Sequence, residues 1–186
     1  YFQSGGGAWG CKMSHVCVLQ QAMMDGVEEI LVLEDDAIFE PGFSERLRKF
    51  LADVPPDWEL LMLGGQNMNH NPPQPTGIPG FLRTVDTQRT QSYVVRGRKA
   101  MQALYSLWMR ADRHIDHLFH KFQQAHSCYQ PEIQLVGQDK GRSDISGRND
   151  SVRFWAPPSS PNEVSLILLD TDRKTAEALR LYGLHY

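Results

Sequence analysis

The sequence predicts a layered α/β domain. Apolar runs of strand length at 30–33, 59–63 and 164–169 alternate with segments whose apolar residues recur every three or four positions. Each of those strands stops at a turn or an acidic residue: Glu34, Gly64 and Asp170. The chain has 186 residues, enough for one domain with a sizeable core, and shows no internal repeat. Tyr1-Phe2-Gln3-Ser4 reads as the remnant of a cleavable affinity tag, which leaves 5–186 as a single domain.

Ser14 is placed to cap a helix that runs to about Met24, with Val16, Leu19 and Met23 on its buried face and Gly26 ending it. Residues 30–33 form a strand. Pro41-Gly42 makes a turn. Ser44 caps a second helix lined by Leu47, Phe50, Leu51 and Val54, and Pro55-Pro56 stops it. Residues 59–63 form a buried strand closed by Gly64-Gly65. The stretch 66–80, rich in Asn, Pro and Gly, reads as a long substrate loop or lid. Short strands are expected at 81–85, 92–95 and 131–136, helices at 99–109 and 115–126, and a polar loop at 137–151. A linker-like, Pro-rich stretch at 155–161 precedes an apolar strand at 164–169 and a helix at 173–181 that Gly183 terminates.

Composition narrows the function classes. Hydrophobic residues make up 41% and charged residues 22%, ordinary for a globular protein. A net charge of -3 and an isoelectric point near 6.2 argue against a general nucleic-acid binder. No apolar run approaches the roughly 20 residues that span a bilayer. Cys11, Cys17 and Cys128 lack metal-knuckle spacing and cannot all pair, so reduced thiols are expected.

The most chemically loaded run is Leu31-Val32-Leu33-Glu34-Asp35-Asp36-Ala37. Its three carboxylates emerge where an apolar strand leaves the core, and open α/β sheets bind ligands at the carboxyl ends of strands. Like charges there repel by about 1 kcal/mol per pair at 4 Å even in water. A hard divalent cation, Mg²⁺ or Mn²⁺, relieves that repulsion and can hold a diphosphate. A solvated strand terminus is the plain alternative.

Several blocks stand in a characteristic order: Gly10-Cys11-Lys12-Met13-Ser14-His15, then Leu33-Glu34-Asp35-Asp36, then Trp58-Glu59-Leu60-Leu61-Met62-Leu63-Gly64. After them come Ser92-Tyr93-Val94-Val95, Ile115-Asp116, Pro131-Glu132-Ile133 with Gln138, and Ser143-Asp144-Ile145. The ordered set resembles glycosyltransferase family 25, the lipopolysaccharide-core and procollagen galactosyltransferase family. The resemblance implies a GT-A-like fold, a Rossmann-like mixed sheet with helices on both faces. It also implies a UDP-sugar donor, Mn²⁺ or Mg²⁺, and transfer of a hexose such as galactose or glucose, with inversion, to a hydroxyl of a glycan or protein. Family members usually carry a strand-helix-strand unit before the Gly-Cys block, whereas only residues 5–9 precede it here. Val164-Ser165-Leu166-Ile167-Leu168-Leu169-Asp170 with Arg173 and Leu184 resembles that unit, so 164–186 is expected to stand in for it by circular permutation. The alternative is a shortened chain with an unrelated tail.

On this resemblance Glu34, Asp35 and Asp36 match the metal-diphosphate motif, with Asp36 as the direct ligand. Asp35 is alternatively a ribose or sugar contact, and Glu34 a cap on backbone groups. His15, in the first turn of its expected helix, either meets diphosphate or sugar at the positive helix end or packs in the core. Asp116 is the first candidate for the base that deprotonates the acceptor and Asp144 the second, or a further metal or donor contact; an Asx turn or helix cap is the plain alternative for Asp144. Gln138 binds acceptor or sugar hydroxyls, or only backbone. Arg142 and Arg148 grip the diphosphate or are simply solvated. Cys11 reads as packing, and Trp155 as either core or a sugar platform. His114, His117 and His120 share a helix face only loosely, which disfavours a metal site.

The rival reading is a non-catalytic sugar- or partner-binding module on the same scaffold. A metal-dependent hydrolase built on the acidic strand end and the three histidines is a further one. A cytoplasmic bacterial setting, in peripheral contact with the inner membrane face, fits a compact, cysteine-poor chain.

Overall fold

The computed structural model of the chain describes residues 6–142 and 149–150. In chain order its elements are α1 Gly6–Met24, β1 Glu29–Leu33, β2 Ala37–Phe39, α2 Phe43–Asp53, β3 Leu60–Met62, β4 Gln66–Asn67, β5 Gln74–Pro75 and β6 Phe81–Arg83. They continue with β7 Thr87–Gln88, β8 Ser92–Arg96, α3 Arg98–Arg110, α4 Asp116–Ala125, β9 Cys128–Pro131, β10 Val136–Gln138, β11 Gly141–Arg142 and β12 Asn149–Asp150. Six strands form one mixed sheet in the order β1-β8-β3-β9-β6-β5. Only β3 and β9 pair in parallel; the other neighbours are antiparallel.

Strand alternation explains why helices cover both faces. Side chains along a strand point to opposite sides in turn. Ile30, Val32, Leu60, Met62, Tyr93 and Val95 join α1, α3 and α4 in one core, through Val16, Leu19, Leu104, Trp108 and Phe119. Their sequence neighbours Leu31, Leu33, Leu61, Leu63 and Val94 pack on the other side with Phe43, Leu47 and Phe50 of α2. At about 1.5–3 kcal/mol per fully buried large side chain, these two clusters dominate the drive to fold. This is the α/β layering expected from sequence, a six-stranded mixed sheet flanked by helices in the manner of a GT-A-like fold.

Four local expectations change. The first helix begins at Gly6, not Ser14. Ala8 and Lys12 bury on the same face as His15, Val16 and Leu19, and that packing overrides the poor helix propensity of the glycines. Ser14 is therefore not a cap; its hydroxyl donates to the Gly10 carbonyl one turn back at 3.0 Å. The second helix starts from Gly42, whose φ of 70° suits glycine, with Ser44 inside the first turn and no side-chain cap. The strand expected at 131–136 is two strands, β9 ending at Pro131 and β10 starting at Val136, since proline cannot donate to a continuing ladder. The 66–80 stretch is pinned at two points, β4 pairing with β7 and β5 with β6.

Strand directions decide where the site lies. β1, β3 and β9 run the same way, so Glu34, Leu63-Gly64 and Pro131 gather at one end of the sheet with the start of β8. Beyond that end β10 pairs with β2, bringing Gln138 opposite Ala37. The amides of Leu135 and Val136 both donate to the Leu63 carbonyl, at 2.9 and 3.1 Å. A Cβ at Gly64 would lie 1.8 Å from the Val136 carbonyl oxygen, so the crossing requires glycine. Among the described residues no helix is long and apolar enough to cross a membrane. The tag stretch 1–4, the 164–186 unit and the permutation it implies lie outside the described residues.

Candidate functional site

Glu34 leaves β1 and turns inward. Its amide donates to the Gln91 carbonyl at 3.0 Å. Its Oε1 lies 3.1 Å from His15 Nε2 and also accepts the Thr90 hydroxyl. Burial would raise the Glu34 pKa, but the bonds from His15 and Thr90, with the nearby charge of Arg89, together hold it below the ordinary carboxylate range. His15 is 5% exposed and its Nδ1 lies 2.8 Å from the Tyr93 hydroxyl. Tyr93 itself is fully buried. His15 thus sits mid-helix and not in a first turn, which removes the expected meeting of His15 with an anion at a helix N-terminus.

Asp36 has the opposite environment. One carboxylate oxygen, Oδ2, accepts from Gln138 Nε2 at 2.7 Å. The other, Oδ1, is buried and has no hydrogen-bond partner. Desolvation raises the Asp36 pKa, and the charges of Glu34 and Asp35 add to it, against the bond from Gln138. Asp35 is exposed. The three neighbouring carboxylates therefore splay: Glu34 toward α1, Asp35 toward solvent, Asp36 toward β10.

Asp116 opens α4, half-buried, and its Oδ1 accepts the His117 amide at 3.2 Å. The Cys11 thiol reports how close these groups come. Burial, then the charges of Glu34, Asp116 and Asp36, push it up to about 12. The charges of the base candidate and of the acidic strand end thus act on one thiol although 80 residues separate Asp116 from Asp36 in sequence. His114 and His117 have ring centroids 5.8 Å apart, and His120 Nδ1 lies 2.5 Å from the His117 carbonyl. Among the described residues the one cluster of three or more His, Cys, Asp or Glu side chains that could hold a metal is Cys11, His15 and Glu34, so the three histidines form no such cluster. Arg142 lies in β11 opposite Asn149. Asp144, Arg148 and Trp155 lie outside the described residues.

Sequence reasoning did not pick out residues 86–91, between the strand expected at 81–85 and the Ser92 block. Thr84, Asp86, Thr87, Thr90, Gln91 and Ser92 are all buried despite being polar. Gln91 precedes β8 beside Glu34, and neither end of its carboxamide has a partner. A run of small polar residues between two short strands was the available signal, and it reads equally well as a surface turn.

The family model described as glycosyltransferase family 25 (LPS biosynthesis protein) matches residues 5–119. The chain belongs to glycosyltransferase family 25. The matched span contains the Gly-Cys block, the acidic strand end, Tyr93 and Asp116; Gln138 and the 143–145 block lie beyond it. Among family 25 relatives, a human protein named inactive glycosyltransferase 25 family member 3 is 32% identical over 110 residues, 56% of this chain and 18% of the relative. Mouse procollagen galactosyltransferase 2 is 32% identical over 83 residues, 43% of this chain and 13% of the relative. Procollagen galactosyltransferase 1-B of Xenopus laevis is 32% identical over 104 residues, 53% and 17% respectively. The chain spans less than a fifth of the length of these relatives.

Proposed function

We propose that this chain carries the donor site of a metal-dependent glycosyltransferase. It would move galactose or glucose from a UDP-sugar to a hydroxyl of a surface glycan or protein, with inversion. The observation that carries the reading is Asp36. A buried carboxylate oxygen without a partner is costly, and a hard cation is the ligand class that would satisfy it. The residues therefore fit Mn²⁺ or Mg²⁺ at Asp36. Bound there, such an ion would neutralise charge on the departing diphosphate.

The chain's own residues divide the remaining work. Gln138 fixes the Asp36 carboxylate from 102 residues away through Oδ2 and leaves Oδ1 without a partner. Exposed Asp35 is free of that bond and suits a hydroxyl of the transferred sugar, which UDP alone lacks. Glu34, engaged by His15 and Thr90, holds the strand end in place. Asp116 takes the proton of the acceptor hydroxyl as its oxygen attacks the anomeric carbon; the bond to UDP breaks and its electron pair leaves with the diphosphate. Asp144 is the alternative base, and Arg142 an additional diphosphate contact.

Calorimetry on the full chain with UDP and Mn²⁺ tests this. Saturable UDP binding that requires Mn²⁺ is expected, weakened about 100-fold, or about 2.7 kcal/mol, in Asp36→Asn. Metal-independent binding, or an unaffected variant, would remove the assignment. The second reading, a binding module without transfer, is favoured by the relative named inactive, 32% identical over 110 residues. Metal-dependent UDP binding with no sugar transfer to any of a panel of hydroxyl acceptors would support it.

A further inference from the structure

We propose a second metal site, distinct in chemistry from Asp36: a transition-metal site for Zn²⁺ formed by Cys11 Sγ, His15 Nε2 and the Glu34 carboxylate. The ligand atoms of these three residues all lie within 4.8 Å of one another. Cys11 and His15 are one turn apart on α1 and so share a face. Glu34 arrives on that face from the end of β1. Two elements that the hydrophobic core already holds together thus supply one sulfur, one nitrogen and one oxygen ligand. That set is what tetrahedral Zn²⁺ accepts, whereas Mn²⁺ and Mg²⁺ prefer oxygen throughout. With three protein ligands, a fourth position is left for water or a substrate oxygen. His15 is buried while Cys11 and Glu34 are partly exposed, so the triad sits at the edge of the core and not deep within it.

The surroundings of the triad also match a metal centre. Metal-bound histidine generally anchors its other ring nitrogen through a hydrogen bond. Here Nδ1 is 2.8 Å from the Tyr93 hydroxyl. A hydroxyl can donate or accept. In the metal-free chain it donates to Nδ1 while Nε2–H donates to Glu34; with Zn²⁺ bound, the imidazole proton moves to Nδ1 and donates to Tyr93, freeing the Nε2 lone pair. Thr90 braces Glu34 through its hydroxyl. Binding converts the Cys11 thiol to a thiolate and releases one proton to solvent, so affinity rises with pH.

Cobalt substitution on the metal-free full chain reads this site directly. One Co²⁺ per chain is expected, with tetrahedral visible bands and a sulfur-to-cobalt charge-transfer band in the near ultraviolet, both displaced by Zn²⁺. Cys11→Ser should abolish the charge-transfer band and lower affinity by more than about 100-fold. Tyr93→Phe should keep the band and lower affinity about 10-fold. Asp36→Asn should keep the charge-transfer band. His15 is buried and its substitution risks the fold, whereas half-buried Cys11→Ser nearly preserves shape. No charge-transfer band in the parent chain, a band that persists in Cys11→Ser, or a band lost in Asp36→Asn would each overturn the proposal. The readout is independent of UDP binding, so this site and the donor site fail separately.

Discussion

Glu34 and Asp36 are two residues apart, yet the fold treats their carboxylates oppositely. Glu34 is tied to His15 and Thr90, and its pKa is depressed. Asp36 has one oxygen held by Gln138 and the other buried without a partner, and its pKa is raised. The turn between β1 and β2 starts the divergence: residues two apart in a continuing strand would share a face, but here the chain reverses through Asp35-Asp36, with the Ala37 amide donating to the Glu34 carbonyl at 3.1 Å. What lies on each side completes it: α1 with its buried histidine for Glu34, and the β2–β10 ribbon for Asp36. A satisfied charge stabilises a structure, while an unsatisfied one is retained where function needs it. The pair thus contrasts a carboxylate whose bonds are supplied by the fold with one left an open oxygen, the oxygen the proposed donor site assigns to a cation.

That contrast makes crossed predictions. The largest effect is expected for Asp36→Asn, a roughly 100-fold loss of Mn²⁺-dependent UDP binding without loss of thermal stability. Glu34→Gln should do the reverse in kind. It removes a charged acceptor for His15 and Thr90 and should cost about 1.5–3 kcal/mol of stability, measurable by urea unfolding at neutral pH. The two also differ in sign with pH. Glu34 is depressed below its ordinary 4.5, so its contribution is present above that value and is lost as pH falls through the lower native pKa. Asp36 is raised above 3.8, so its native form holds a proton that the unfolded chain has already released. Its ionisation costs stability as pH rises through that window, and Asp36→Asn should gain relative stability at neutral pH that disappears in acid. If both variants lose stability equally, the contrast fails.

How much of this was legible beforehand follows from the range of the interactions. The sheet core at 30–33, 59–63 and 92–95 was readable because apolar patterning is local, and the structure places β1, β3 and β8 there. The acidic strand end was readable for the same reason. The inward turn of Glu34 was not, since it depends on His15 arriving from a helix whose start was misplaced by the glycines before it. Gln138 was recognisable only as a polar loop residue; its bond to Asp36 depends on the β2–β10 pairing, and Ala37–Phe39 had no strand signal of its own. Cys11 read as packing because Glu34, which the fold brings close to it, is distant in sequence.

Gln138→Ala sharpens the contrast from the other side. It deletes the bond that lowers the Asp36 pKa, so that pKa should climb further, and a less well positioned carboxylate should bind Mn²⁺ about 10-fold more weakly. Thermal stability should change little, because the lost bond lies at the rim of the sheet.

The smallest expected effect belongs to Asp35→Asn. Asp35 is exposed, and surface substitutions of this kind usually fall within about 0.5 kcal/mol in stability. Its charge nevertheless contributes to raising the pKa of Asp36. Removing that charge should let the Asp36 pKa drop toward its ordinary value, so the acid limb of Mn²⁺-dependent UDP binding should move to lower pH while the neutral-pH plateau holds. Because Asp35 faces water, added salt should screen its charge and shrink the difference between the two chains. A plateau that collapses in Asp35→Asn would instead make Asp35 a direct ligand alongside Asp36, and the working carboxylate would become a working pair.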